Sequence, residues 1–305
     1  MSIAIQRCPR CGNENQADSF ACSFCGVRLK IEKIETISFF RRYEAEWTNP
    51  YPWYMKIYYL FIQPNRGFWD INHKRSKAPG WLILLLSSLL YGLMGLALFS
   101  HFNFTSISTY SPIKVFFTFS FFGAFFIFGY IFQLIFFSIL IWLVTKGANY
   151  AVGFTERLED RFGAIGEVKE RYKEEEISPF SIYKGGTMLH LEGSHKFRMM
   201  LCAFTPFLLI NAIKILIVLV AFPTVDIPDI SIFNEVIFDQ MFRSKSWAAL
   251  DVIDALTIAI WVPILMTLAI RELSNSSTYR VLIPTFIIGI LVAIIFYFLR
   301  PTIFG

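Results

Sequence analysis

Long apolar runs, separated by polar connections, organise this chain. Five stretches reach the length that a hydrocarbon layer about 30 Å thick demands of a helix rising 1.5 Å per residue. They cover residues 81–99, 115–144, 199–222, 247–270 and 281–299. None carries the polar face at a 3.6-residue period that a helix on a soluble core would show. The pattern predicts an all-α integral membrane protein, a five-span transmembrane helical bundle over 81–299 with a polar insert at 145–198. At 30 residues the second stretch would reach about 45 Å, so it must tilt, kink or protrude. No turn residue divides it, and a bend is expected near Gly123 or Gly129. It holds eleven Phe, read as lipid-facing and packing surface, with Gln133 its one clearly polar side chain. Pro206, Pro263 and Pro284 are expected to kink the last three spans.

The polar connections carry weaker patterns. Residues 31–50 are mixed and read as a linker. Within 51–80, Pro52 opens the run WYMKIYYLFIQ and Pro64 closes it. That run is too short to span, and Trp and Tyr favour the headgroup zone, so an interfacial amphipathic helix is expected. A packing element against the first span is the alternative. In the insert, Phe154, Leu158, Phe162, Ile165, Val168 and Tyr172 form one apolar stripe at helical spacing. Glu167 stands four residues before Arg171, a favourable orientation, while Gly163 and Gly166 weaken the helix. The stripe suits packing on the same chain, or a partner or self-association surface. His190 and His195 precede the third span, at a spacing that suggests solvated side chains.

Composition sharpens this picture. Apolar residues make up 55% and charged residues only 17%, with 34 Phe. That excludes a disordered chain and argues against a single soluble enzyme domain. The net charge of +5 has a topological source. If connections alternate sides, 23 Lys and Arg fall on one face and 4 on the other. The positive-inside rule then places the amino terminus and the 145–198 insert in the cytoplasm and Gly305 outside. The first 30 residues lack the apolar core of a signal peptide. The host membrane is the plasma membrane if the source is prokaryotic, and the endoplasmic reticulum or Golgi if eukaryotic. Asn103-Phe104-Thr105 forms a glycosylation triplet on the expected outer side.

Candidate metal chemistry lies at the amino terminus. Cys8-Pro9-Arg10-Cys11 and Cys22-Ser23-Phe24-Cys25 are two C-x2-C pairs ten residues apart. Each pair turns two thiolates toward one cation, and two pairs complete a tetrahedral S4 site. Gly12 and Gly26 follow the pairs, where a positive φ closes the turn. Residues 1–30 are too few for a hydrophobic core, so structural Zn2+ would supply most of the folding energy. Reduced cytoplasmic thiols disfavour disulfides. Four bound sulfurs leave no open position for catalysis. The string resembles the zinc-ribbon modules of prokaryotic membrane proteins, which are structural or mediate contacts. Arg7, Arg10, Arg28 and Lys30 against Glu14 and Asp18 are too sparse for a nucleic-acid surface. Cys202 reads as an inert packing residue.

Three charges fall inside spans: Lys214, Asp251 and Asp254. Such residues are costly in lipid and usually paired. In antiparallel spans Lys214 lies about 12 Å deep and Asp254 about 10 Å, so the two can meet, with Asn211 one turn from Lys214. A structural ion pair is expected; a transporter or channel built on these charges is the alternative, though no internal repeat is present.

The membrane part resembles the Yip domain family of Ypt/Rab-interacting five-span proteins. LFIQPNRGFWDI at 60–71 is similar to that family's approach to the first span. Gly185, Gly186, Lys196, Phe197, Arg198 and Pro206 are similar to its Gly-Gly loop, basic-aromatic approach and third span. The resemblance covers about 51–299, and the charged insert at 151–180 departs from it. It implies a non-enzymatic membrane scaffold or adaptor that binds cytoplasmic proteins, small GTPases among them, or other copies of itself. No catalytic constellation can be argued from the residues.

Overall fold

A computed structural model gives the architecture. It describes residues 5–16, 19–22, 25, 27–43, 49–73, 78–104, 112–154, 192–227 and 244–304. Gly26, Thr105, the insert stripe from Leu158 to Tyr172 with Gly163 and Gly166, Gly185, Gly186 and His190 lie outside them.

Two short strands, β1 (Ile5–Arg7) and β2 (Glu14–Gln16), pair antiparallel at the amino terminus. Helices α1 (Trp53–Ile62) and α2 (Pro64–His73) follow. Pro64 divides them because it cannot donate the backbone bond that a continuing helix needs. Among the described residues, five helical segments are long and apolar enough to cross a membrane: Gly80–Phe99, Lys114–Val152, His195–Ala221, Lys245–Ser274 and Thr278–Phe298. The first is α3 (Gly80–Phe99), and the second lies in α4 (Pro112–Val152). α4 is one uninterrupted helix of 41 residues, running past the end that apolar pattern alone marks. The third segment joins α5 (Glu192–Leu201) to α6 (Pro206–Ala221) through a 3-10 turn at Cys202–Phe204. Pro206 opens α6, where its missing N–H costs nothing.

The fourth joins α7 (Lys245–Leu256) to α8 (Val262–Ser274) through a π turn at Thr257–Trp261, which ends two residues before Pro263. The fifth lies in α9 (Thr278–Phe304), which continues through Pro284. Beside the helices, β3 (Phe102–Phe104) and β4 (Val225–Ile227) form a two-stranded parallel ladder. The expected all-α class therefore holds, with these small strand pairs added. Exposed Phe116, Phe119, Phe128, Ile131 and Ile135 on α4, and Ile287, Leu291 and Phe298 on α9, form an apolar surface that suits lipid better than water.

Contacts divide the chain into two units. One comprises Met1–Gly80, Ile141–Ala203 and Pro263–Ile288. In it α1 turns Lys56 and Leu60 inward and leaves Trp53, Tyr54, Tyr58 and Ile62 exposed. The Leu60 side chain lies against Gly67 of α2. Burial lowers the Lys56 pKa, and nearby Asp70 opposes the shift. Inward lysine and outward aromatics reverse the usual arrangement of a helix in water. The run 53–63 is thus a packing element on one face and an aromatic surface on the other. In the same unit α8 and α9 join through a Thr267–Thr285 hydroxyl contact of 2.7 Å, while Thr267 also donates to the Pro263 carbonyl. Such polar links hold helices together where apolar burial gives no preference over lipid.

Gly80 sets how closely α3 begins against α5. A Cβ there would lie 2.2 Å from the Arg198 carbonyl oxygen and 2.7 Å from the Leu201 Cβ. Neither atom sits on a flexible side-chain end, so the backbone itself must move. Gly80→Ala should therefore destabilise the protein by about 1–3 kcal/mol. A thermal melt in detergent checks this; an unchanged midpoint would mean that the two helices are not in close contact.

The other unit comprises Trp81–Leu140, Phe204–Val262 and Gly289–Gly305. Its core gathers Met94, Leu98, Phe99, Phe102, Phe222, Val225 and Trp247 around the strand ladder. Phe137 stacks on Phe204 with ring centroids 3.7 Å apart. The Phe-rich helix divides its rings by face. Phe121 and Phe125 pack against the core, and Phe116 and Phe119 stay outside. Gly95 receives the Phe125 ring, and Gly129, one of two expected bend sites, receives Tyr91. Gly129 is therefore a packing position; Gly123 has open space around it.

Candidate metal centre and buried charges

The β1–β2 hairpin and two tight turns bring the four amino-terminal cysteines together. Gly12 N–H donates to the Cys8 carbonyl at 2.9 Å, and Gly12 has φ +74°, the conformation the first turn requires. In the second turn, Cys22 N–H donates to the Val27 carbonyl at 2.8 Å. The Sγ atoms of Cys8, Cys11, Cys22 and Cys25 all lie within 4.8 Å of one another. Cys8 and Cys25 are 3.5 Å apart, and Cys11 and Cys22 are 3.6 Å apart. These separations are too long for disulfides of about 2.05 Å. A tetrahedral ion with metal–sulfur bonds of about 2.3 Å would place its sulfurs about 3.8 Å apart, so the cluster fits such an ion.

The surroundings favour thiolate unevenly. Burial raises the Cys8 pKa, but hydrogen bonds from the Cys11 and Arg10 backbone and from the Cys25 and Cys11 thiols outweigh it, bringing the group down to about 6. Burial pushes Cys25 up to about 12. A divalent cation at the centre would draw all four to thiolate. Asn15, buried beside the cluster, donates to Cys22 Sγ at 3.6 Å. Of the basic residues in this module, Arg7 is engaged by Glu14 at 3.1 Å on the surface.

The intramembrane charges come together within one unit. Lys214 Nζ lies 2.9 and 2.7 Å from the two carboxylate oxygens of Asp254. Both residues are buried, with 4% and 8% exposure. Asn211, one turn before Lys214, donates to Ser87 Oγ at 3.0 Å. Tyr91 places its ring 6.0 Å from the ammonium. Asp251 stands one turn before Asp254 and is half-buried. Cys202 is buried, its thiol donating to the Arg198 carbonyl at 3.3 Å, as a packing residue would. His195 is half-buried at the start of the third segment, so the expectation of a solvated ring does not hold for it.

Sequence reading missed a second set of charges. Residues 31–43, read as linker, form a strap with a 3-10 turn at Lys33–Thr36. Arg42 Nε pairs with Glu35 Oε1 at 2.7 Å, and both side chains are buried. Arg271, fully buried at the end of α8, donates to the Phe40 carbonyl and pairs with Glu272 at 3.3 Å. Thr278 Oγ1 donates to Glu35 Oε1 at 3.2 Å. The Glu32 carboxylate accepts from Thr278 N–H at 2.7 Å and from Ser277 Oγ, capping the first turn of α9. The one signal for this network is the charged pair Arg271-Glu272 running straight on from an apolar span into SNSST.

No family model matches the chain, and neither a curated protein nor a solved structure matches it. Among the described residues the geometry yields two defined chemistries: a four-sulfur cluster able to hold a metal ion, and buried ion pairs.

Proposed function

We propose that the chain is a non-enzymatic, multi-pass membrane scaffold or adaptor of Yip type. Its amino-terminal ribbon holds structural Zn2+ on the cytoplasmic side, and the ribbon and the insert receive cytoplasmic protein partners. The observation that carries this reading is the state of the site groups. Four sulfurs saturate a tetrahedral ion and leave no position for a substrate. Lys214 and Asp254 neutralise each other through two close hydrogen bonds, which suits a structural clamp better than an ion path. The excess of Lys and Arg on one side supports the cytoplasmic placement, with Gly305 outside. The exposed aromatic face of α1 suits the headgroup layer beside it. The five segments agree with the span count of the Yip resemblance, which would make a small GTPase or a second copy the partner.

Crosslinked capture from the native membrane tests this, with the intact chain and with Cys8→Ser/Cys11→Ser compared. The intact chain should retain cytoplasmic partners that the variant loses, at equal membrane levels. Identical partner sets would count against recruitment through the ribbon. The competing transport reading predicts a saturable ion flux in proteoliposomes that Lys214→Met abolishes.

A further inference from the structure

We propose that the four-cysteine site is a metal-dependent latch on the turn joining the fourth and fifth candidate spans. This rests on the metal reading of the site and assigns it a regulated target within the same unit. The turn satisfies part of its polar groups itself, through Ser274–Ser276 and Ser277–Arg280 contacts, and others reach the ribbon and strap. Asn275 has φ +51°, a left-handed conformation that costs a non-glycine residue energy unless neighbours hold it. Its amide holds Ala21 reciprocally: Oδ1 accepts from Ala21 N–H at 2.9 Å, and Nδ2 donates to the Ala21 carbonyl at 2.6 Å. The pair mimics one rung of an antiparallel ladder.

Ala21 immediately precedes Cys22 and bridges to Arg28 across the second cysteine turn. Its backbone is therefore placed by the turn whose two sulfurs would bind the ion. The strap adds two more holds on the same turn. Glu32 caps Thr278, and Arg42 reaches Asn275 Oδ1 at 3.4 Å and the Ser276 carbonyl. The Arg42 guanidinium also lies 5.1 Å from the centre of the Phe20 ring, which ties strap to ribbon.

A ribbon of this size draws its folding energy from the metal. When the ion leaves, the second cysteine turn loses its centre and Ala21 loses its fixed position. Asn275 then keeps a strained backbone without the partner that held it, and the start of α9 loosens. Linkage makes the coupling reciprocal, so a damaged turn must weaken metal binding by the same factor that metal binding strengthens the turn.

The test uses the full chain in lipid nanodiscs, loaded with zinc or stripped by a chelator, with amide hydrogen exchange and zinc affinity both measured. Stripping should speed exchange across 276–282 by roughly 5–150-fold, the usual range for coupled sites. Asn275→Gly keeps the left-handed backbone at no cost while deleting the amide. It should weaken zinc binding by a similar factor and leave 276–282 open even when zinc is bound. If stripping opens the ribbon at 8–16 and leaves 276–282 protected, or if Asn275→Gly binds zinc as tightly as the native chain, the latch is overturned while the metal site stands. If the native chain binds no zinc, the metal reading itself falls.

Discussion

Lys214→Met should destabilise the protein by about 3 kcal/mol, whereas Lys214→Met combined with Asp254→Leu should leave it within about 1 kcal/mol of the native chain. The pair is buried and doubly hydrogen bonded. Together the two charges offset each other's desolvation. Removing the ammonium alone strands a carboxylate among apolar side chains, where its ionised form is costly. Replacing both by apolar residues of similar volume removes the liability along with the bond. Chemical denaturation in mixed micelles reads both variants. Equal losses in the single and double variants would show that packing at the two positions, and not their charges, matters.

Loss of the proposed zinc ion should have the larger local effect. Zinc binding to four-ligand modules is worth about 10–16 kcal/mol at neutral pH, far more than a 30-residue segment can draw from burial. Chelation, or Cys22→Ser with Cys25→Ser, should therefore unfold the ribbon outright. Elemental analysis should fall from one zinc per chain to none, and protease should then cut at Arg28, just after the second cysteine turn. The sign with pH follows from the ligands. Bound sulfurs must be deprotonated, so acidification returns protons to them and releases the ion. A ribbon that keeps its protease resistance without metal would contradict this account.

Much of this architecture was legible because its signals are long or local. Apolar length alone marked the five segments, since five helices of about 20 residues without a polar face suit a bilayer far better than the core of a 305-residue soluble protein. The cysteine spacing marked the cluster because two residues between ligands fix a turn. Lys214 and Asp254 could be set at one level by counting residues from the span ends. The strap was illegible for the opposite reason. Glu32, Glu35 and Arg42 look like any solvated charges, and their partners Ser276 and Thr278 lie more than two hundred residues away. The strand ladder was hidden too, because three-residue strands such as Phe102–Phe104 and Val225–Ile227 fall below any periodicity. The 3-10 turn before Pro206 and the π turn before Pro263 show how the chain absorbs two of its three expected kinks.

The central claim is a chain that crosses the bilayer five times and keeps its sulfur cluster in the cell interior. A dual reporter fused after Gly305, with alkaline phosphatase and a fluorescent protein as its two readouts, tests it most directly. Phosphatase activity without fluorescence is the predicted result. Fluorescence without phosphatase activity would put Gly305 in the cytoplasm, and either the count of five crossings or the placement of the sulfur cluster would be wrong.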